Sequence, residues 1–146
     1  MAVDGKKLGK LLARGVTRHL AQLNYRTLTE FTLSTGRRVD VIGLGPRGEV
    51  WIVECKSSKA DFQSDSKWMD YLEWCDRFFW ATPLGFPLDI LPKNMGIICA
   101  DPYGAEIVAP AAETKLSAPR RRSLTLQFAR NSAQRLHALT DPKIDT

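Results

Sequence analysis

No apolar run in this sequence approaches the roughly 20 residues that cross a bilayer as a helix. The opening stretch, MAVDGKKLGK, has neither the apolar segment nor the small-residue cleavage site of a secretory signal. Cysteine is scarce. Cys55, Cys75 and Cys99 are odd in number, widely spaced and without a CxxC pair, which argues against a disulfide framework and against a zinc site. These absences lead to the expectation of a reducing cytoplasmic compartment and no membrane partner. Internal repeats and long low-complexity linkers are missing too, so the 146 residues are expected to form one domain around one core.

Charge is unevenly distributed. The net charge is +5, but residues 1–24 hold five Lys or Arg against one acid, and residues 120–146 hold six against two. The middle of the chain is therefore acidic. Basic ends around an acidic centre suit a polyanion bound near carboxylates, and they suit equally well the solvated faces of two terminal helices.

Leu8, Leu12, Val16, Leu20 and Leu23 recur at helical spacing and predict an amphipathic helix over about 5–24, weakened slightly by Gly15. Lys7, Lys10, Arg14 and Arg18 cluster opposite that stripe. TLTEFTLSTG reads as a strand turning at Ser34–Gly36, RRVDVIGL as a second strand, and EVWIVECKSS as a third after the turn signal GPRG. A helix over about 65–76 follows, with cap candidates in QSDSKW and an inward stripe of Trp68, Leu72 and Cys75. RFFWATP is a fourth, buried strand stopped by Pro83, and PLGFPLDILP loops over the core. NMGIICAD and GAEIVAP form a terminal hairpin through ADPYGA. AAETKLSAPRRR has the small, polar, basic composition of a mobile segment, and a last helix over about 121–138 would pack Leu124, Phe128 and Leu136. The fold class is α/β: a core over about 5–109 of helix, three strands, helix and strand, then a hairpin, with a basic segment and helix over about 110–138.

The informative break is in VWIVECKSSK, where a strand apolar on both faces ends in Glu54 and Lys56. Buried charges are costly unless paired or bound to a metal. Asp40 interrupts the preceding strand between Val39 and Val41. A three-residue loop of Pro46, Arg47 and Gly48 would set Asp40 directly opposite Glu54, whereas a two- or four-residue loop would put them on opposite faces. Two facing carboxylates repel each other unless a cation lies between them, and oxygen donors favour Mg2+ or Mn2+. Lys56, beside them, could orient or activate water or stabilise charge on a phosphate. The backbone carbonyl of Cys55 could add a ligand while its thiol stays in the core.

RVDV and VECK, in this order of elements, resemble the PD-(D/E)XK nuclease superfamily and a restriction-endonuclease-like core. The resemblance implies Mg2+-dependent hydrolysis of nucleic-acid phosphodiesters, with Asp40 and Glu54 as metal carboxylates and Lys56 as the catalytic lysine. Val39 stands where the proline of the motif's name would be. The superfamily often has an earlier acid, and Glu30 in TLTEF is the candidate here, the rival role being a strand-end glutamate. Lys67 and Tyr71 take the place of a Gln and Tyr that some members carry four residues apart, and would share a helix face toward phosphate; otherwise they are a snorkelling Lys and a half-buried Tyr.

Over about residues 5–137, including YLEWCDRFFWATP and ADPYGAEIV, the chain resembles the MmcB-type bacterial DNA repair proteins. That implies a metal-dependent nuclease acting on DNA in repair, with Lys59, Lys67, Tyr71, Arg14 and Arg18 as DNA-binding residues. Homodimerisation and other repair proteins as partners are compatible with it. The alternative is a non-catalytic DNA-binding or recruiting repair factor with a nuclease fold.

Overall fold

The computed structural model describes residues 4–143. The chain divides into two compact units, one through residue 116 and one from residue 117 onward. The first begins with α1 (Gly5–Gln22), started by Asp4, whose carboxylate accepts from the Lys6 N–H at 3.2 Å. Leu12, Val16 and Leu20 are fully buried along the predicted stripe. Gly15 has a packing reason to be there: a Cβ would stand 1.8 Å from the Asp101 carbonyl oxygen.

Six strands make one sheet in chain order: β1 (Arg26–Thr32), β2 (Arg38–Leu44), β3 (Val50–Cys55), β4 (Arg77–Thr82), β5 (Gly96–Ala100) and β6 (Ala105–Ala109). β1, β2 and β3 are antiparallel neighbours, β3, β4 and β5 run parallel, and β5–β6 is the expected hairpin. Side chains alternate across the sheet. Val41, Val53, Phe79, Ala81 and Ile98 bury one face with α1. Phe78 and Trp80 point to the other face, where Phe62 and Trp68 each come to 5.2 Å of the Trp80 ring.

Both hairpin turns at the start of the sheet have the same build. Gly36 N–H donates to the Leu33 carbonyl and Gly48 N–H to the Gly45 carbonyl, with both glycines at positive φ, 88° and 89°. Each is the three-residue loop in which glycine takes the left-handed position.

The single helix expected over 65–76 does not form. The chain makes a five-residue α2 (Lys59–Gln63) and then a 3₁₀ helix over Trp68–Trp74. Asp65, from the predicted cap region, accepts from the N–H groups of Lys67 and Trp68 at 2.8 and 3.1 Å. With three residues per turn, Tyr71 follows Trp68 onto the inner side, and Leu72 is only half-buried.

The segment after β6 is tied down rather than loose. Asp76, buried just before β4, accepts from the N–H groups of Val50 and Leu116 at 2.7 and 2.9 Å, and its carbonyl accepts from Thr114 N–H. The second unit holds α3 (Ala118–Thr140), capped by Ser117, with Leu124 and Phe128 buried. Leu136 is exposed, against expectation. Twelve residues turn a helix about 120° away from Leu124, so it leaves that stripe.

Candidate active site

The pairing Val41–Val53 and Ile42–Ile52 is the register in which Asp40 faces Glu54. The ladder ends there, and the two carboxylates take over its backbone groups. Asp40 Oδ2 accepts from Cys55 N–H at 2.8 Å, and Glu54 Oε1 accepts from Asp40 N–H at 3.1 Å. Glu54 is only 5% exposed. Burial, and then the charge and hydrogen bond of Asp40, push its carboxyl well above the usual range. Two acids forced together in this way are relieved by a cation between them.

Glu30 extends the row. Phe31 pairs with Val39 and Thr29 with Val41, which sets Glu30 across from Asp40, but that pair is skipped. Glu30 sits at φ 50°, a conformation side chains with a Cβ seldom adopt, so the backbone is strained at this point. Among the described residues, no three His, Cys, Asp or Glu side chains are grouped to hold a metal ion in the present arrangement. Glu30 is exposed and lines the same groove as Asp40 and Cys55. Asp40, Glu54 and the Cys55 carbonyl are groups that could hold an ion such as Mg2+, which keeps several waters and phosphate oxygens around one or two carboxylates.

Lys56 has a partner that its sequence neighbourhood does not reveal. Its Nζ lies 2.7 Å from Asp65 Oδ2, with both side chains about nine-tenths buried. Burial alone would lower the lysine pKa, but the hydrogen bond and charge of Asp65, followed by Asp61 and Glu54, hold it above its ordinary value. Burial would likewise raise Asp65, and Lys56 together with the Lys67 and Trp68 amides brings it below. The pairing with Asp65 favours the ammonium form of Lys56. Asp61 accepts from both the N–H and hydroxyl of Ser57, at 3.0 and 3.2 Å.

An open groove of about 1180 Å³ runs beside α1. Lys6, Lys10, Arg14 and Arg38 line it with Glu30, Asp40, Cys55, Ser57, Ser58 and Asp61, while Glu54 and Lys56 are buried and do not line it. Of the predicted DNA-binding residues, only Arg14 reaches it. Arg18 lies outside because each four-residue step drifts about 40° around the helix. Lys59 lies outside because Asp61, which faces the groove, is about 200° away on α2. Lys67 and Tyr71 do not share a face, since four residues of 3₁₀ helix turn about 120° apart. Lys67 is exposed, and Tyr71 is buried with its hydroxyl donating to the Arg38 carbonyl at 3.2 Å. Burial, with the charges of Glu54, Asp65 and Asp40, pushes the Tyr71 hydroxyl up to about 12.

Reasoning from the sequence missed Asp61, Asp65, Lys6, Arg38 and Ser57. The two turns, each carrying a glycine at the same place, were the signal for the acid row, including Glu30. The Lys56–Asp65 pair had no local signal, being set by the path of the chain after β3.

No curated protein matches the chain. A solved structure described as a protein of unknown function from Silicibacter pomeroyi is 49% identical, with a TM-score of 0.90, over 100% of this chain and 98% of that one. The family model described as DNA repair protein MmcB-like matches residues 3–143. The chain therefore belongs to the MmcB-like family of DNA repair proteins.

Proposed function

We propose that this protein is a metal-dependent nuclease that hydrolyses DNA phosphodiesters in a repair pathway, of the PD-(D/E)XK kind. The observation that supports it best is the Asp40–Glu54 pair at the broken end of a ladder, next to a groove with a cationic wall. Asp40 and Glu54, with the Cys55 carbonyl, would hold one Mg2+ or Mn2+. Such an ion supplies a water of lowered pKa and neutralises charge on the scissile phosphate. Lys6, Lys10, Arg14 and Arg38 hold the backbone through its phosphates, which gives affinity without sequence information. Lys56, paired with Asp65, would add positive charge beside the acids. In the reaction the water oxygen joins phosphorus, one P–O ester bond breaks, and the departing oxygen takes up a proton.

A second reading, a DNA-binding or recruiting factor with an idle site, is favoured by one observation. Lys56 is engaged by Asp65, and neither it nor Glu54 lines the groove. One experiment separates the two. Labelled single-stranded, duplex, nicked, flapped and branched DNA, with RNA counterparts, is incubated with Mg2+ or Mn2+ and wild type or Asp40→Ala. Cleavage of DNA by wild type, reduced at least about 10²-fold in Asp40→Ala, is expected. Binding without cleavage on every substrate would favour the second reading, and full activity in Asp40→Ala would refute the site.

A further inference from the structure

Lys6, Lys10 and Arg14 recur at every fourth residue of α1, and all three line the groove. Each step rises about 6 Å along the helix, on the scale that separates successive phosphates of one strand. A single backbone can therefore run along α1 with one cation to each phosphate. The two ends of this row are located by what lies next to the helix there. At Gly5, a Cβ would stand 3.4 Å from Ser57 Oγ, so the chain leaving the Glu54–Lys56 strand end abuts the first turn of α1. At Gly15 the carbonyls of Asp101 and Gly104 press against the helix, so the β5–β6 turn abuts it there. The row thus leads away from the acids toward that turn over about 12 Å.

Tyr103 stands on the turn. It is 74% exposed, and the Arg14 guanidinium carbon lies 5.8 Å from its ring centroid. The turn is braced from beneath: Asp101 Oδ1 accepts from the N–H groups of Tyr103 and Gly104 at 2.7 and 3.0 Å. A rigidly carried aromatic face therefore closes a line of evenly spaced cations. Proteins that hold single strands combine those two parts, a basic track for the backbone and an aromatic platform for a base. Duplex bases are stacked on one another and have no free face to give.

We propose that the α1 groove takes single-stranded DNA, with a base stacked on Tyr103 a few nucleotides from the Asp40–Glu54 pair. This names a substrate class for the site and rests on the nuclease reading only for what happens at the acids. The test measures binding alone, in EDTA at about 0.1 M salt, by fluorescence anisotropy. The probe is a fluorescein-labelled mixed-sequence DNA of about 12 nucleotides, compared with its duplex and with RNA of the same sequence. The single strand should bind more tightly than the duplex. Tyr103→Ala should weaken single-strand binding about five- to a hundredfold, the range of base–aromatic stacking, and leave duplex binding unchanged. Tyr103→Phe should restore it, because the ring and not the hydroxyl makes the contact. An abasic residue at the stacked position should weaken wild type and have no further effect on Tyr103→Ala.

The proposal is overturned if Tyr103→Ala binds the single strand within about twofold of wild type, if duplex binds as well as single strand, or if RNA binds better than DNA. Failure of cleavage with this binding pattern intact would instead overturn the catalytic reading alone.

Discussion

Asp65→Ala should destabilise the protein substantially, although Asp65 lies outside every strand and helix of the sheet's framework. The Lys56–Asp65 contact is 2.7 Å, with side chains 11% and 12% exposed. Removing one partner of a buried pair leaves a stranded charge and costs about 3–5 kcal/mol. Lys56 can lean toward Asp61 or Glu54, which places the loss near about 3 kcal/mol. The other Asp65 oxygen accepts from the amides that begin the 3₁₀ helix, and losing that cap adds about 1 kcal/mol. A total of about 4 kcal/mol corresponds to a Tm lowered by roughly 8–16 °C in a domain of this size. Thermal unfolding followed by circular dichroism measures it. The double variant Lys56→Met with Asp65→Ala should recover most of the loss, because no charge is stranded, leaving the cap deficit of about 1 kcal/mol. If Asp65→Ala melts within about 2 °C of wild type, the pair is not the buried anchor described above.

Two further substitutions test the framework of the site. Gly15→Ala puts a methyl group 1.8 Å from a backbone oxygen, and α1 cannot back away without opening the core; a Tm at least about 5 °C lower is expected, and an unchanged Tm would refute the close packing. Asp76→Ala strands the buried Val50 amide, at about 1–3 kcal/mol, removes a bond to the half-buried Leu116 amide, and should speed hydrogen exchange at both; exchange at the wild-type rate would contradict this role.

The acid pair was legible because its causes are local. Pro46, Arg47 and Gly48 fix a loop length, the loop fixes a register, and the register places Asp40 against Glu54. Position 30 follows from the same reasoning applied to Ser34, Thr35 and Gly36, although not its strained backbone. What stayed hidden depends on how the chain travels between elements. Periodicity in 65–76 is compatible with both an α-helix and a 3₁₀ helix, and the choice decides whether Tyr71 faces solvent with Lys67 or the interior beneath Arg38. The groove was hidden for a related reason, since Lys6 and Arg38 are distant in sequence and meet only when α1 lies across the sheet.

The paired turns at Gly36 and Gly48 have a consequence for how this lineage can vary. Surface turns ordinarily tolerate insertions and deletions well, because little is packed on them. Here each turn length is a gear setting for a row of side chains. One residue more or fewer in either would pass every downstream position to the opposite face, sending an acid into the core and an aliphatic residue into the groove. Substitution at these turn positions is open wherever the conformation allows it, but length is not. In a comparison of relatives, the constraint would be found in the gaps of the alignment before it was found in the letters.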